Sequence, residues 1–137
     1  MAAFLDGSTQ TRLHPAFIGL EKILAPPYAS VYLSEDHLLY GSSVLDVRQF
    51  YKKFGLSVNP MNRVPDDHVG FELYCLSFLL ENAAQAALRE FLSNHLITWL
   101  PSFLRLVEEK AETAYYRGVA LLTLGFVESL MNSLDIE

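Results

Sequence analysis

The stretch VPDDHVGFELYCLSFLLE, Val64 to Glu81, decides the fold. At 100° per residue, Gly70, Tyr74, Ser77 and Glu81 share one narrow face. Val69, Phe71, Leu73, Cys75, Leu76, Phe78, Leu79 and Leu80 fill almost everything else. A helix that is apolar nearly all round belongs in the middle of a packed domain. Pro65 suits the position just before such a helix. Either Asp66 or Asp67 is then an N-cap, where the helix dipole favours a carboxylate. The predicted helix runs from Asp66 or Asp67 to about Glu81. Glu72 lies opposite the polar stripe and one turn after His68, so the two face the same way.

Working outward, Val44 to about Phe54 reads as a helix, with Ser43 as N-cap and Gly55 as the glycine that ends it. The loop LSVNPMNRVP, residues 56–65, follows. Beyond the central helix, Ala84, Ala87, Leu88, Phe91, Leu92, His95, Leu96 and Trp99 form one helical stripe, predicting a helix from Ala84 to Trp99. Pro101 interrupts it. A fourth helix is predicted over Ser102 to Ala111 and a fifth over Thr113 to Leu134. The polar face of the fifth is Arg117, Glu128 and Asp135, and the rest can be buried. Residues 1–42 are irregular in texture, and Pro26-Pro27 favours extended backbone. The expectation is an irregular segment over residues 1–10. A single all-α domain over 11–137, a bundle of about five helices, follows it.

Composition bounds the function. The chain has 137 residues, is 51% hydrophobic and 19% charged, and carries a net charge of −6. Such a chain buries a core, and no basic stripe marks it as a nucleic-acid binder. An acidic surface favours a basic partner. The single cysteine, Cys75, lies in an apolar run and builds neither a disulfide framework nor a thiolate zinc site. No basic start followed by a long apolar run marks a secretory signal. The longest apolar run, Gly118 to Val127 apart from Thr123, falls short of the roughly 20 residues a bilayer requires. The expectation is a soluble, cytoplasmic protein without stable membrane insertion.

The PDDH segment leaves several readings open. Capping accounts for one aspartate but not for two, nor for His68 with Glu72 on an apolar face. A metal site from Asp67, His68 and Glu72 matches no standard ligand spacing. A catalytic pair lacks a GxSxG elbow or a phosphate loop beside it. No cofactor, metal or catalytic residue is therefore expected, and the segment reads as a cap or as part of a binding surface.

Several motifs in register carry a resemblance: FIG (17–19), APPYASVYL (25–33), LLYGSSVLDVRQFY (38–51), VPDDHVGFEL (64–73), FLLEN (78–82), FLSNHLITW (91–99) and EKAETAYYRGV (109–119). Together they resemble the DmsD/TorD/NarJ group of redox-enzyme maturation chaperones, most of all its DmsD branch, over about residues 11–134. The resemblance implies an all-helical cytoplasmic chaperone, not an enzyme. Its partner would be the twin-arginine signal peptide of a molybdenum-containing oxidoreductase of the DMSO or TMAO reductase type, which it assists before export. Pro65, Asp67 and His68 match the signal-peptide segment of that group, Gly41 a family glycine, and Phe17 a family phenylalanine. Glu72 matches a common family carboxylate. Leu13, Ala16 and Glu21 depart from the Trp or Leu usual nearby, and PAF (15–17) departs from the usual RLF.

The implied mechanism puts the apolar part of the peptide, as a helix, in a groove using Phe17, Tyr28 and Tyr32. Its arginines would meet Asp66 and Asp67. His68, oriented by Glu72 or Asp67, would donate to a peptide carbonyl, with a charge balanced near neutral pH. The resemblance also implies helices that precede this stretch in family members, which this sequence is expected to lack. The expectation is an exposed apolar patch and a dimer or higher assembly, with exchange of helices as one route to it. The alternative is a self-associating helical interaction domain that binds no signal peptide.

Overall fold

The computed structural model describes residues 24–35, 37, 41–82 and 84–136. Phe17, the FIG segment and residues 1–10 lie outside them. Among the described residues there are six α-helices and no strand: α1 (Ala29–Leu33), α2 (Ser42–Lys53), α3 (Val69–Glu81), α4 (Gln85–Asn94), α5 (Leu100–Lys110) and α6 (Ala114–Ser133). The all-α bundle expected from periodicity is what the chain forms.

The central helix is buried along one side rather than all round: Leu80 is exposed and Val69, Leu73 and Phe78 are half-buried. Phe71, Glu72, Cys75, Leu76 and Leu79 of α3 are buried, while Ser77 and Glu81 of the polar stripe are exposed. Phe50, Tyr51, Phe91, Leu92, Leu96, Trp99, Leu100 and Phe103 close around it from the neighbouring helices. Phe50 stacks on Phe91 and on His95, with ring centroids 5.1 and 5.3 Å apart.

The end of α2 follows from Gly55. Its φ of +73° is left-handed, which costs other L-residues roughly 1–2 kcal/mol. Gly55 N–H donates to Lys52 O at 3.2 Å and Leu56 N–H to Tyr51 O at 3.0 Å, a complete Schellman closure. Leu56 then buries itself beneath the helix end. At the other end the cap is Gly41, one residue before the helix begins at Ser42, and no side chain caps it. Ser43, the expected cap, sits inside the first turn.

Two expectations about boundaries fail for physical reasons. The helix predicted over Ala84–Trp99 ends at Asn94, and a 3₁₀ turn spans Leu96–Thr98. Pro101 has no N–H to return to Ile97 O, so the chain restarts a helix at Leu100 with Pro101 in its first turn. The segment after Pro26-Pro27 is extended only through Tyr28 and then forms α1. The remainder of α6 is not buried. It packs chiefly on α5 through Ala120, Val127 and Met131. Tyr115, Val119, Leu121, Leu122 and Phe126 stay exposed, Leu122 at 76%. Tyr115, Val119, Leu122 and Phe126 share one apolar face, and Leu121 lies to the side of it.

Candidate functional site

The segment Pro65–His68 turns inward. Pro65 is buried, Asp66 is 8% exposed, Asp67 0% and His68 7%. It is stitched to the chain before α1 by an isolated antiparallel bridge between Tyr28 and His68. Ala29 N–H donates to Asp67 O at 3.2 Å and Val69 N–H to Pro27 O at 2.9 Å. The Tyr28 ring meets His68 edge-on at 5.1 Å.

Neither aspartate caps α3. Asp66 is held by Arg48, whose Nε donates to Oδ2 at 3.2 Å and Nη2 to Oδ1 at 2.9 Å. The Tyr51 hydroxyl donates to Asp66 O at 2.9 Å. Asp67 Oδ2 accepts from Ser30 N–H at 2.6 Å, so its carboxylate caps α1 across space. With both carboxylates drawn to tertiary partners, the cap of α3 falls to His68, whose Nδ1 accepts from Gly70 N–H at 3.0 Å.

That bond fixes the tautomer. Nδ1 accepts, so the proton of the neutral ring is on Nε2, which is buried without a partner. Burial lowers the imidazole to about 4, so the charge is not balanced near neutral pH as expected from sequence; the ring is neutral there. Asp67 Oδ1 is likewise buried without a partner. Burial pushes the Asp67 carboxyl up, against the lowering effect of the Ser30 N–H.

Glu72 shares the buried side of α3 with His68 but does not orient it. The hydrogen bond to Glu72 Oε1 comes from Trp99 Nε1, at 3.2 Å. With 1% exposure, burial holds the Glu72 carboxyl well above its usual range, more strongly than the Trp99 bond lowers it. Cys75, one turn on, is a buried thiol pushed up to about 12 by the same desolvation, and so inert.

Tyr28 is 6% exposed and Tyr32 half-buried. Tyr32 lies against Trp99 and Phe103 at 5.7 and 6.3 Å, and its hydroxyl is buried without a partner. Gly41 lies against α1: a Cβ there would sit 3.6 Å from the Cβ atoms of Ser30 and Ser34. The structure thus gathers Tyr28, Tyr32, Gly41, Asp67, His68 and Glu72 around α1, sets Pro65 and Asp66 beside Arg48 and Tyr51 of α2, and leaves Phe17 outside the described residues. Sequence reasoning missed Ser30, Arg48 and Trp99 as their partners. All three are distant in sequence, and only the fold brings them together.

A cavity of about 420 Å³ lies beside Asp66, lined by Arg48, Lys52 and Arg63 among others. Its cations suit an anion and oppose a basic peptide. Among the described residues no three His, Cys, Asp or Glu side chains converge to hold a metal, and no helix is long and apolar enough to cross a membrane.

The family model for the nitrate reductase delta subunit matches residues 10–105. The probable Tat proofreading chaperone DmsD of Haemophilus influenzae is 31% identical over 120 residues, covering 88% of this chain and 59% of that protein. The Tat proofreading chaperone DmsD of Salmonella typhi is 31% identical over 106 residues, covering 77% and 52%. The chaperone protein TorD of Psychrobacter is 33% identical over 121 residues, covering 81% and 55%. The chain spans between half and three-fifths of the length of these relatives. With its family model matching more than half of the sequence, Asp66, Asp67 and His68 included, this chain belongs to the nitrate reductase delta subunit family, with the DmsD and TorD chaperones among its relatives.

Proposed function

We propose that this protein is a cytoplasmic, non-enzymatic chaperone that binds the twin-arginine signal peptide of a molybdenum-cofactor oxidoreductase before export. The observation that carries the reading is the polar seam beside α1. Within the family match, a buried acceptor, Asp67 Oδ1, and a buried donor, His68 Nε2–H, have no partners, and aromatic rings adjoin them. Unpaired buried polar atoms are costly and are retained where something else satisfies them. A peptide backbone supplies both complements.

The apolar stretch of the peptide lies along α1, against Tyr28 and Tyr32. Asp67 and His68 hold α1 in place, and because their free atoms are buried, the peptide reaches them only as α1 shifts aside. Gly41 caps α2 where it packs against α1. Pro65, Asp66 and Glu72 fix the loop and helix from which this edge is built. Calorimetry with a synthetic signal peptide tests the reading. Binding by the wild type, and its loss in the Asp67→Ala, His68→Ala double variant, is expected. Equal affinity of wild type and variant overturns the site, and failure of every molybdoenzyme leader to bind overturns the function.

A second reading has its own observation. The exposed face of α6, Tyr115, Val119, Leu122 and Phe126, repeats at helical spacing without a charge among these positions. Such a face supports association of two copies. Peptide-independent assembly, seen by sedimentation at several concentrations, favours this reading.

A further inference from the structure

The arginines of a leader need carboxylates, and the two aspartates that the sequence offers are committed. Asp66 holds Arg48, and Asp67, with no exposed surface, holds Ser30. A separate cavity of about 280 Å³ lies where α1, α2, α3 and the turn after α4 meet. Its floor includes Glu72, and its rim includes the exposed Asp46 and Thr98 and the half-buried Ser43 and His95.

Its acceptors are unspent. Glu72 gives one carboxyl oxygen to Trp99, and the other makes no hydrogen bond among the described residues. The Ser43 hydroxyl is buried without a partner. The Thr98 hydroxyl donates to His95 O, which leaves its own lone pairs free. The Asp46 carboxylate is exposed at the mouth. We propose that this cavity receives the guanidinium of one arginine of the signal peptide, with Asp46 and Glu72 as its carboxylate partners and Ser43 as a further acceptor. This assignment rests on the signal-peptide reading above and gives the arginine a place that Asp66 and Asp67 do not.

The dimensions and chemistry agree. Pockets for drug-sized ligands run from roughly 300 to 1,000 Å³, so this one suits a single side chain. Its acceptors come from three different elements, which suits the five donors of a planar guanidinium better than the three of an ammonium. Charge balances on binding. The free Glu72 carboxyl holds its proton because it is buried; an arriving cation favours the ionised form, and the proton leaves to solvent. Asp67, Tyr51 and the Cys75 thiol also bear on this group, all as acids, and His95 is kept from charging chiefly by burial. Glu72 and the mouth carboxylate of Asp46 are thus the groups poised to answer a cation.

The test is a cycle between peptide and protein. A leader with its Arg pair is compared with leaders in which either arginine is replaced by uncharged, isosteric citrulline. Each is titrated into wild type, Glu72→Gln and Asp46→Asn, with folding checked by circular dichroism. Asp46 is exposed on α2, so its variant keeps the fold. Citrulline at one of the two positions should weaken wild-type binding on the order of tenfold to a hundredfold, and far less in either variant. Proton release, read in two buffers of different ionisation enthalpy, should vanish in Glu72→Gln. An equal citrulline penalty in all three proteins overturns the subsite. If no leader binds the wild type, the signal-peptide reading fails, and Nα-acetylarginine amide alone decides the subsite. Shifts of the Ser43 and His95 amide resonances that are absent in Glu72→Gln support it; their absence in wild type overturns it.

Discussion

Glu72→Gln should change how stability depends on pH. Glu72 is 1% exposed, its carboxyl is held well above the ordinary value, and its one protein hydrogen bond is neutral, from Trp99 Nε1. A carboxyl whose folded pKa exceeds its unfolded value contributes stability that is complete below the unfolded value, near 4.5. That contribution is lost as pH rises through the folded value. Each unit of separation is worth about 1.4 kcal/mol. Glutamine keeps the shape, accepts the same Trp99 bond and has no proton to lose. The stability of Glu72→Gln relative to wild type should therefore grow by up to about 1.4 kcal/mol per pH unit above roughly 4.5, then level off above the folded pKa. Urea denaturation of both proteins from pH 5 to 9, with equal m-values, measures this difference. His68 titrates in both proteins and cancels. Parallel curves would refute the reasoning.

Three further outcomes follow from the same geometry. His68 is neutral in the fold, its imidazole lowered from 6.5 to about 4, so its contribution is complete above the unfolded value and is lost as pH falls toward 4. His68→Asn, which keeps a capping acceptor, should lose the part of the acid sensitivity that this shift causes, on the order of 3 kcal/mol between pH 7 and 4 in urea titrations. Tyr51→Phe removes the donor to Asp66 O and should lower stability by about 1 kcal/mol with an unchanged m-value. Leu122→Ser with Phe126→Ser alters exposed positions of α6, so folding should shift by no more than about 0.5 kcal/mol per site, while concentration-dependent association in sedimentation velocity should fall.

The helical class and the central place of α3 were legible because hydrophobic periodicity records burial directly: Leu76 and Leu79 are buried where the wheel puts them. Gly55 was legible because a left-handed residue has few alternatives. The roles of Asp66, Asp67 and Glu72 were not. Each is decided by a partner far along the chain: Arg48 at 18 residues, Ser30 at 37 and Trp99 at 27. Helix α1 escaped notice for the same reason, since its first N–H groups are satisfied by Asp67 rather than by a local cap. The exposed side of α6 escaped because an apolar helical face states only that it seeks cover, not what supplies it.

Trp99, the single tryptophan of the chain, reports on the binding claim. It is 1% exposed, lies beside Tyr32 and donates to Glu72, so a peptide seated along α1 must alter its surroundings. Titrating a tryptophan-free twin-arginine leader and following Trp99 emission is the most direct test. The account predicts a saturable change that disappears when the apolar stretch of the leader is made polar. An emission that stays flat throughout, or changes equally with the polar leader, would contradict it.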